Sequence, residues 1–109
     1  LLPLPVVHGR SAVVGFRCGD LGYITDAKTI PDETRQRLDG VRVLVLNALW
    51  FGNPHPTHLN VEEAIDIAAD VGAERTFLTH LTHRLGHAAL AGRLPAGVEP
   101  AYDGLVIDF

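Results

Sequence analysis

A chain of 109 residues with 47% apolar content has room for one folded core, so one domain at most is expected of it, and its composition is not that of a disordered tail. A formal net charge of −4 without any Lys/Arg block argues against a nucleic-acid surface, while leaving a small phosphate-bearing substrate open. The single cysteine, Cys18, excludes an intrachain disulfide and suits a reducing compartment.

The chain opens on LLPLPVV, which is short, proline-broken and without a basic flank, and so does not read as a signal peptide. A leucine start in place of methionine is expected of a fragment or a processed chain. No apolar run approaches the roughly 18 residues of a membrane span, so a soluble, cytoplasmic protein is expected. Leu4 to His8 reads as a strand bounded by Gly9, and Ala12 to Arg17 as a second. Cys18-Gly19-Asp20 is a turn, and Gly22 to Asp26 a third strand; the spacing fits two antiparallel hairpins.

From Pro31 the period changes. PDETRQRLDG puts a proline in the first turn, acidic before basic residues, and Gly40 as a stop, which suits a helix and its dipole. Val41 to Leu46 is the most apolar run and reads as a central strand buried on both faces. The loop NALWFGNPHPTHLN follows. Asn60 then caps VEEAIDIAADVG, with Val61, Ala64, Ile65 and Ala68 on one face and Gly72 as its stop. Arg75 to Thr79 returns as a strand, Leu81 to Ala91 fits a short helix, and a turn at Asp103-Gly104 leads to a last strand. The order β-β-β-α-β-α-β-α-β predicts a single α/β (α+β) unit, a mixed sheet with helices on one face. Only three helices are available, so the second face lacks cover.

His8, Asp26, Asn47 and His80 each close a strand. If those strands end on one sheet edge, His8, Asp26 and His80 converge, and imidazole with carboxylate is the donor set of Zn, Mn or Fe sites. Each residue also has an ordinary structural role open to it: a strand-end histidine as a half-exposed polar group, Asp26 as a turn former. His80, His83 and His87 are spaced to share one helical face, but Arg75 to Thr79 reads as a strand, which places His80 ahead of any helix. His55 and His58 lie in the irregular loop before a helix N-terminus, where a histidine could meet a phosphate oxygen or protonate a leaving group. His55 reads as an ordinary loop residue, and Trp50 and Phe51 as core or dimer surface before a substrate wall.

In order along the chain, PLPVVHG, GYITDAKTIP, PTHLNVEEA, FLTHLTH and AYDGLVI resemble the C-terminal half of metallo-β-lactamase-fold hydrolases. The branch they are most similar to contains the carbon–phosphorus-lyase accessory cyclic-phosphate phosphodiesterase and, more distantly, the tRNA 3′-processing endonuclease. The resemblance covers nearly the whole chain. It implies metal-ligand roles for His8 and His80, a metal-bridging carboxylate at Asp26, and a phosphate-facing, catalytic histidine at His58. It places His83 and Asp103 in support of the ligands, and gives His87 no counterpart. It further implies two divalent metal ions, Zn or Mn, activating a hydroxide against a small phosphodiester of the cyclic-phosphate type.

The family's other ligands come from an H-x-H-x-D-H motif that this sequence does not contain. The resemblance therefore implies half of a dinuclear site and half of an αββα sandwich, residues 1–109 being the C-terminal half without the N-terminal one. A homodimer, or pairing with the missing half, is the partnership expected. The competing expectation is a non-catalytic half-domain that self-associates through its uncovered apolar sheet face.

Overall fold

Val43–Asn47 (β4) is the strand from which the sheet is built, and all 5 of its residues are buried. In this computed structural model, which describes residues 2–9, 11–48, 58–79, 92, 94–101 and 105, six strands form one sheet. The others are Leu2–His8 (β1), Ser11–Cys18 (β2), Leu21–Ile24 (β3), Arg75–Thr79 (β5) and Val98–Pro100 (β6). Their spatial order is the chain order, β1 to β6. β1, β2 and β3 are antiparallel neighbours, whereas β3, β4, β5 and β6 are parallel. The hairpins turn at Gly9 and Gly19, with φ of 58° and 54°, a left-handed backbone that glycine adopts without a Cβ clash.

Among the described residues two helices, Asp32–Arg37 (α1) and Val61–Val71 (α2), cover one face. Because strand side chains alternate, Leu4, Val6, Ile24, Leu44, Leu46 and Leu78 point to that face. There they pack against Leu38, Val61, Ala64, Ile67 and Ala68 in one continuous core. The opposite face has a smaller cluster of Val43, Val45 and Phe77. Away from it that face is bare: Val14 is 55% exposed, Phe16 44% and Tyr23 47%. The uncovered apolar face expected from the sequence is thus present among the described residues.

β1 lies at the sheet edge, and its prolines suit that position. Pro3 and Pro5 have no N–H to leave unpaired at an edge. Their carbonyls accept from Arg37 Nη1 at 2.9 Å and from the buried Thr34 hydroxyl, which fastens α1 against the strand. The next outward-facing residue, Val7, bonds through N–H and carbonyl to Lys28 and Thr29.

Asn60 caps α2 with a full capping box: its side chain accepts from the Glu63 N–H, and the Glu63 carboxylate accepts from the Asn60 N–H. Gly72 ends the helix at φ 77°. Lys28 Nζ sits 3.0 and 2.9 Å from the two Glu63 oxygens, so the cap is pinned to the segment after β3. Among the described residues, no helix is long and apolar enough to cross a membrane.

The structure corrects the sequence reading in three places. β3 stops at Ile24, and Asp26 lies beyond it, because the chain bends there to pair Thr29 with Val7. On α2, Ile67 is buried in place of Ile65, which packs only partly against the core. A strand at Val98–Pro100 stands where only the approach to the Asp103-Gly104 turn was expected. The expected helix at Leu81 to Ala91 and the strand after Gly104 lie outside the described residues.

Two predictions follow from the packing. A Cβ at Gly15 would lie 2.7 Å from the Tyr23 carbonyl oxygen and 2.8 Å from Ile24 Cγ1. Gly15→Ala therefore overpacks the β2–β3 seam and should lower unfolding free energy by about 1–3 kcal/mol in chemical denaturation. The second concerns Glu63. Burial works against its charge, but the Asn60 N–H and the Lys28 ammonium outweigh this and hold its carboxyl below the ordinary value of 4.5. With the native pKa below the unfolded one, the stabilisation is complete above about pH 5 and is lost as pH falls through the native value. Thermal melts should show Glu63→Gln removing part of the acid-side loss of Tm.

Candidate metal centre

β1, β3, β4 and β5 run in the same direction, so their C-terminal ends share one edge of the sheet. His8 ends β1, Asp26 follows β3, Asn47 ends β4, and Thr79 ends β5. In open sheets with parallel strands this edge is where loops gather functional groups on a rigid base.

Three of the expected residues meet there. His8 Nε2 and His58 Nε2 are 3.1 Å apart, with the two rings edge to face at 85° and centroids 4.4 Å apart. Asp26 Oδ1 lies 3.8 Å from His58 Nε2, and one donor atom from each of the three residues falls within 4.8 Å of the others. Thr25 Oγ1 donates to Asp26 Oδ2 at 3.2 Å, which leaves Oδ1 towards the histidines. His8 and His58 are half-buried, and Asp26 is about half exposed.

The segment after Asp26 sets this geometry. Val7 pairs with Thr29 and Lys28, which fixes the end of β1 and hence His8. The Leu59 N–H donates to the Ala27 carbonyl at 3.0 Å, which fixes the backbone beside His58. The fully buried Asn47 side chain closes the set: Oδ1 accepts from the Ala27 N–H at 2.8 Å, and Nδ2 donates to the Ala27 carbonyl at 2.7 Å. A buried backbone group left unpaired costs about 1–3 kcal/mol, so these bonds confine Ala27 to one position.

Two imidazole nitrogens in contact can share one proton, or both can present lone pairs to a cation. Ligand nitrogens about 2.0–2.1 Å from a tetrahedral ion stand about 3.3 Å apart, close to the spacing of His8 and His58. With a carboxylate beside them, the donor set fits a divalent transition metal. His80, His83 and Asp103 lie outside the described residues, as do His55 and His87. Thr79 does place the chain just ahead of His80 at the same edge, directly opposite Asn47 in the sheet register.

Sequence spacing does not reveal the contact between His8 and His58, which are separated by 50 positions. Asn47 was legible as a strand-end polar residue, whereas its hold on Ala27 was not. Lys28, which ties the segment to the α2 cap, had no signal beyond its place after Asp26.

Comparisons with known proteins agree with this architecture. Residues 1–81 match the family described as Beta-lactamase superfamily domain. The crystal structure of a new diphosphatase from the PhnP family superposes with a TM-score of 0.90 and 41% identity, covering 94% of this chain and 40% of that one. The metallo-beta-lactamase fold protein YhfI from Bacillus subtilis gives a TM-score of 0.71 at 21% identity, over 94% of this chain and 46% of that one. A Porphyromonas gingivalis (strain ATCC BAA-308 / W83) protein named Octanoyltransferase is 36% identical over 107 residues, 94% of this chain and 21% of that protein. The chain thus spans less than half of each solved structure and about a fifth of the curated relative, whose name describes a much longer protein. By the extent of the family match, and with the mixed sheet and its edge in agreement, the chain belongs to the beta-lactamase superfamily and carries part of the metallo-β-lactamase fold.

Proposed function

We propose that this chain is the C-terminal half of a metal-dependent hydrolase that cleaves a P–O bond in a small phosphodiester of the cyclic-phosphate type. The observation that carries the reading is the convergence of His8, Asp26 and His58 at one sheet edge. The 41% identity to a PhnP-family diphosphatase supports a phosphoryl substrate and makes a diphosphate the competing substrate class.

In this reading His8 and Asp26 hold metal, together with His80 from the end of β5. Divalent ions there, two of Zn or Mn, would offset charge on the phosphoryl oxygens and lower the pKa of water. Asp26, steadied by Thr25 through Oδ2, presents Oδ1 to the site. His83 and Asp103 support the ligands. His58 carries a proton at Nε2 to the departing oxygen. A second role for His58, as a metal ligand, is favoured by its 3.1 Å approach to His8.

The bare face bearing Val14, Phe16 and Tyr23 is the surface on which a second sheet packs, supplied by an N-terminal half that also brings the remaining ligands. The alternative is a non-catalytic half-domain in which a second copy covers the same face. A reducing cytoplasm suits the exposed Cys18 thiol.

The test uses the intact protein, with bis(4-nitrophenyl) phosphate, a cyclic nucleotide phosphodiester and a nucleoside diphosphate as substrates. Chelation should abolish turnover, Zn or Mn should restore it, and Asp26→Ala or His8→Ala should lower kcat/KM by about a hundredfold or more. Unchanged turnover in both variants contradicts the reading. For His58→Ala, retained metal with a rate loss steeper for poor leaving groups supports the proton role, and loss of metal supports ligation. A tight metal-free dimer without turnover favours the half-domain alternative.

A further inference from the structure

We infer that Asn47 is a positioning residue for the His8–Asp26–His58 cluster, acting through Ala27 on two of its members, Asp26 and His58. The inference rests on the metal-site reading, since it assigns what holds that site in shape. Both described side-chain hydrogen bonds of Asn47 go to the backbone rather than to the three side chains of the cluster. Its amide bonds both polar groups of Ala27, at 2.8 and 2.7 Å, with no exposure to solvent. Ala27 is the residue immediately after Asp26, and its carbonyl also accepts from the N–H of Leu59, the residue immediately after His58. One buried amide group therefore fixes a backbone position shared by an acid on β3's exit and a histidine on α2's approach.

The chemistry of the side chain matters here. The task needs a donor and an acceptor side by side, and a primary amide supplies both without a charge. Leucine fills similar space and supplies neither. The next residue along, Ala48, donates to the Thr79 carbonyl at 2.9 Å, so the end of β4 also fixes the last residue of β5.

The experiment compares Asn47→Leu and Ile67→Ala with wild type in the intact protein. Ile67 is buried in the helix-side core and makes none of the described hydrogen bonds to Ala27, so its truncation lowers stability while leaving those bonds in place. Native-state hydrogen exchange is read at Ala27, Leu59, Val45 and Phe77, and Zn2+ affinity is measured by competition with a chromophoric chelator. Asn47→Leu should deprotect both Ala27 and Leu59 while Val45 and Phe77 keep their protection. Leu59 is the informative amide, because its own acceptor remains after the substitution. Zn2+ affinity should fall by about 10- to 100-fold in Asn47→Leu and by no more than about twofold in Ile67→Ala.

Unchanged protection at Leu59 in Asn47→Leu overturns the inference, as does an equal loss of Zn2+ affinity in both variants. Should Asn47→Leu fail to fold, Asn47→Ala admits water to Ala27 and carries the same expectations. A wild-type protein that binds no Zn2+ removes the metal reading alone, and the exchange pattern then decides the positioning role.

Discussion

The backbone of Ala27–Thr29 is where the chain's distant parts are joined. Val7 bonds to Lys28 and Thr29, Leu59 to Ala27, and the Asn47 amide to both polar groups of Ala27. These contacts bring three separate stretches, carrying His8, Asn47 and His58, onto one short segment that begins just after Asp26. None of them is a side-chain ion pair at the surface, of the kind worth about 0–1 kcal/mol. The Asn47–Ala27 bonds are fully buried, and their loss would leave backbone groups unpaired in a low-dielectric interior, whereas the Val7 bonds close the exposed edge of β1. The buried Asn47 bonds favour the arrangement in which both polar groups of Ala27 are satisfied.

The sheet supplies the other half of the account. Its helix side is a continuous core running from Leu4 through Leu44 and Leu46 to Leu78, closed by Leu38 and the apolar face of α2. Among the described residues, the reverse side carries a smaller buried cluster of Val43, Val45 and Phe77 and leaves Phe16 and Tyr23 open. A sheet so unequal on its two sides supports the proposal of a half-sandwich, and the candidate site lies at the edge such a sandwich would share between halves. The lone reversed strand, β2, is what lets β1, β3, β4 and β5 all deliver their C-terminal ends to that edge.

Much of this was legible in the sequence where local chemistry decides the outcome. VRVLVL read as a doubly buried strand and is one from Val43 onward, glycines at 9 and 19 marked the hairpin turns, and Asn60 with Gly72 bracketed α2. The bare face was legible as well, because too few helices follow so many apolar strands. What escaped was set by tertiary contacts. Asp26 reads as strand by composition but is drawn out of it by the pairing of Thr29 with Val7. Ile65 and Ile67 are equally apolar, and only the roll of α2 on the sheet chooses between them. The partner of Asn47 and the meeting of His8 with His58 depend on long-range closure that no spacing encodes. The family resemblance identified His8, Asp26 and His58 as residues of interest, while the structure adds how closely they approach and what backbone carries them.

The most direct measurement is a crystal structure of the intact protein grown with Zn2+, with diffraction data collected on both sides of the zinc edge. The account predicts an anomalous peak within about 2.0–2.2 Å of His8 Nε2 and the Asp26 carboxylate, with His58 facing it. An occupied zinc elsewhere, with His8 and His58 still bonded to each other and Asp26 free of metal, would contradict it.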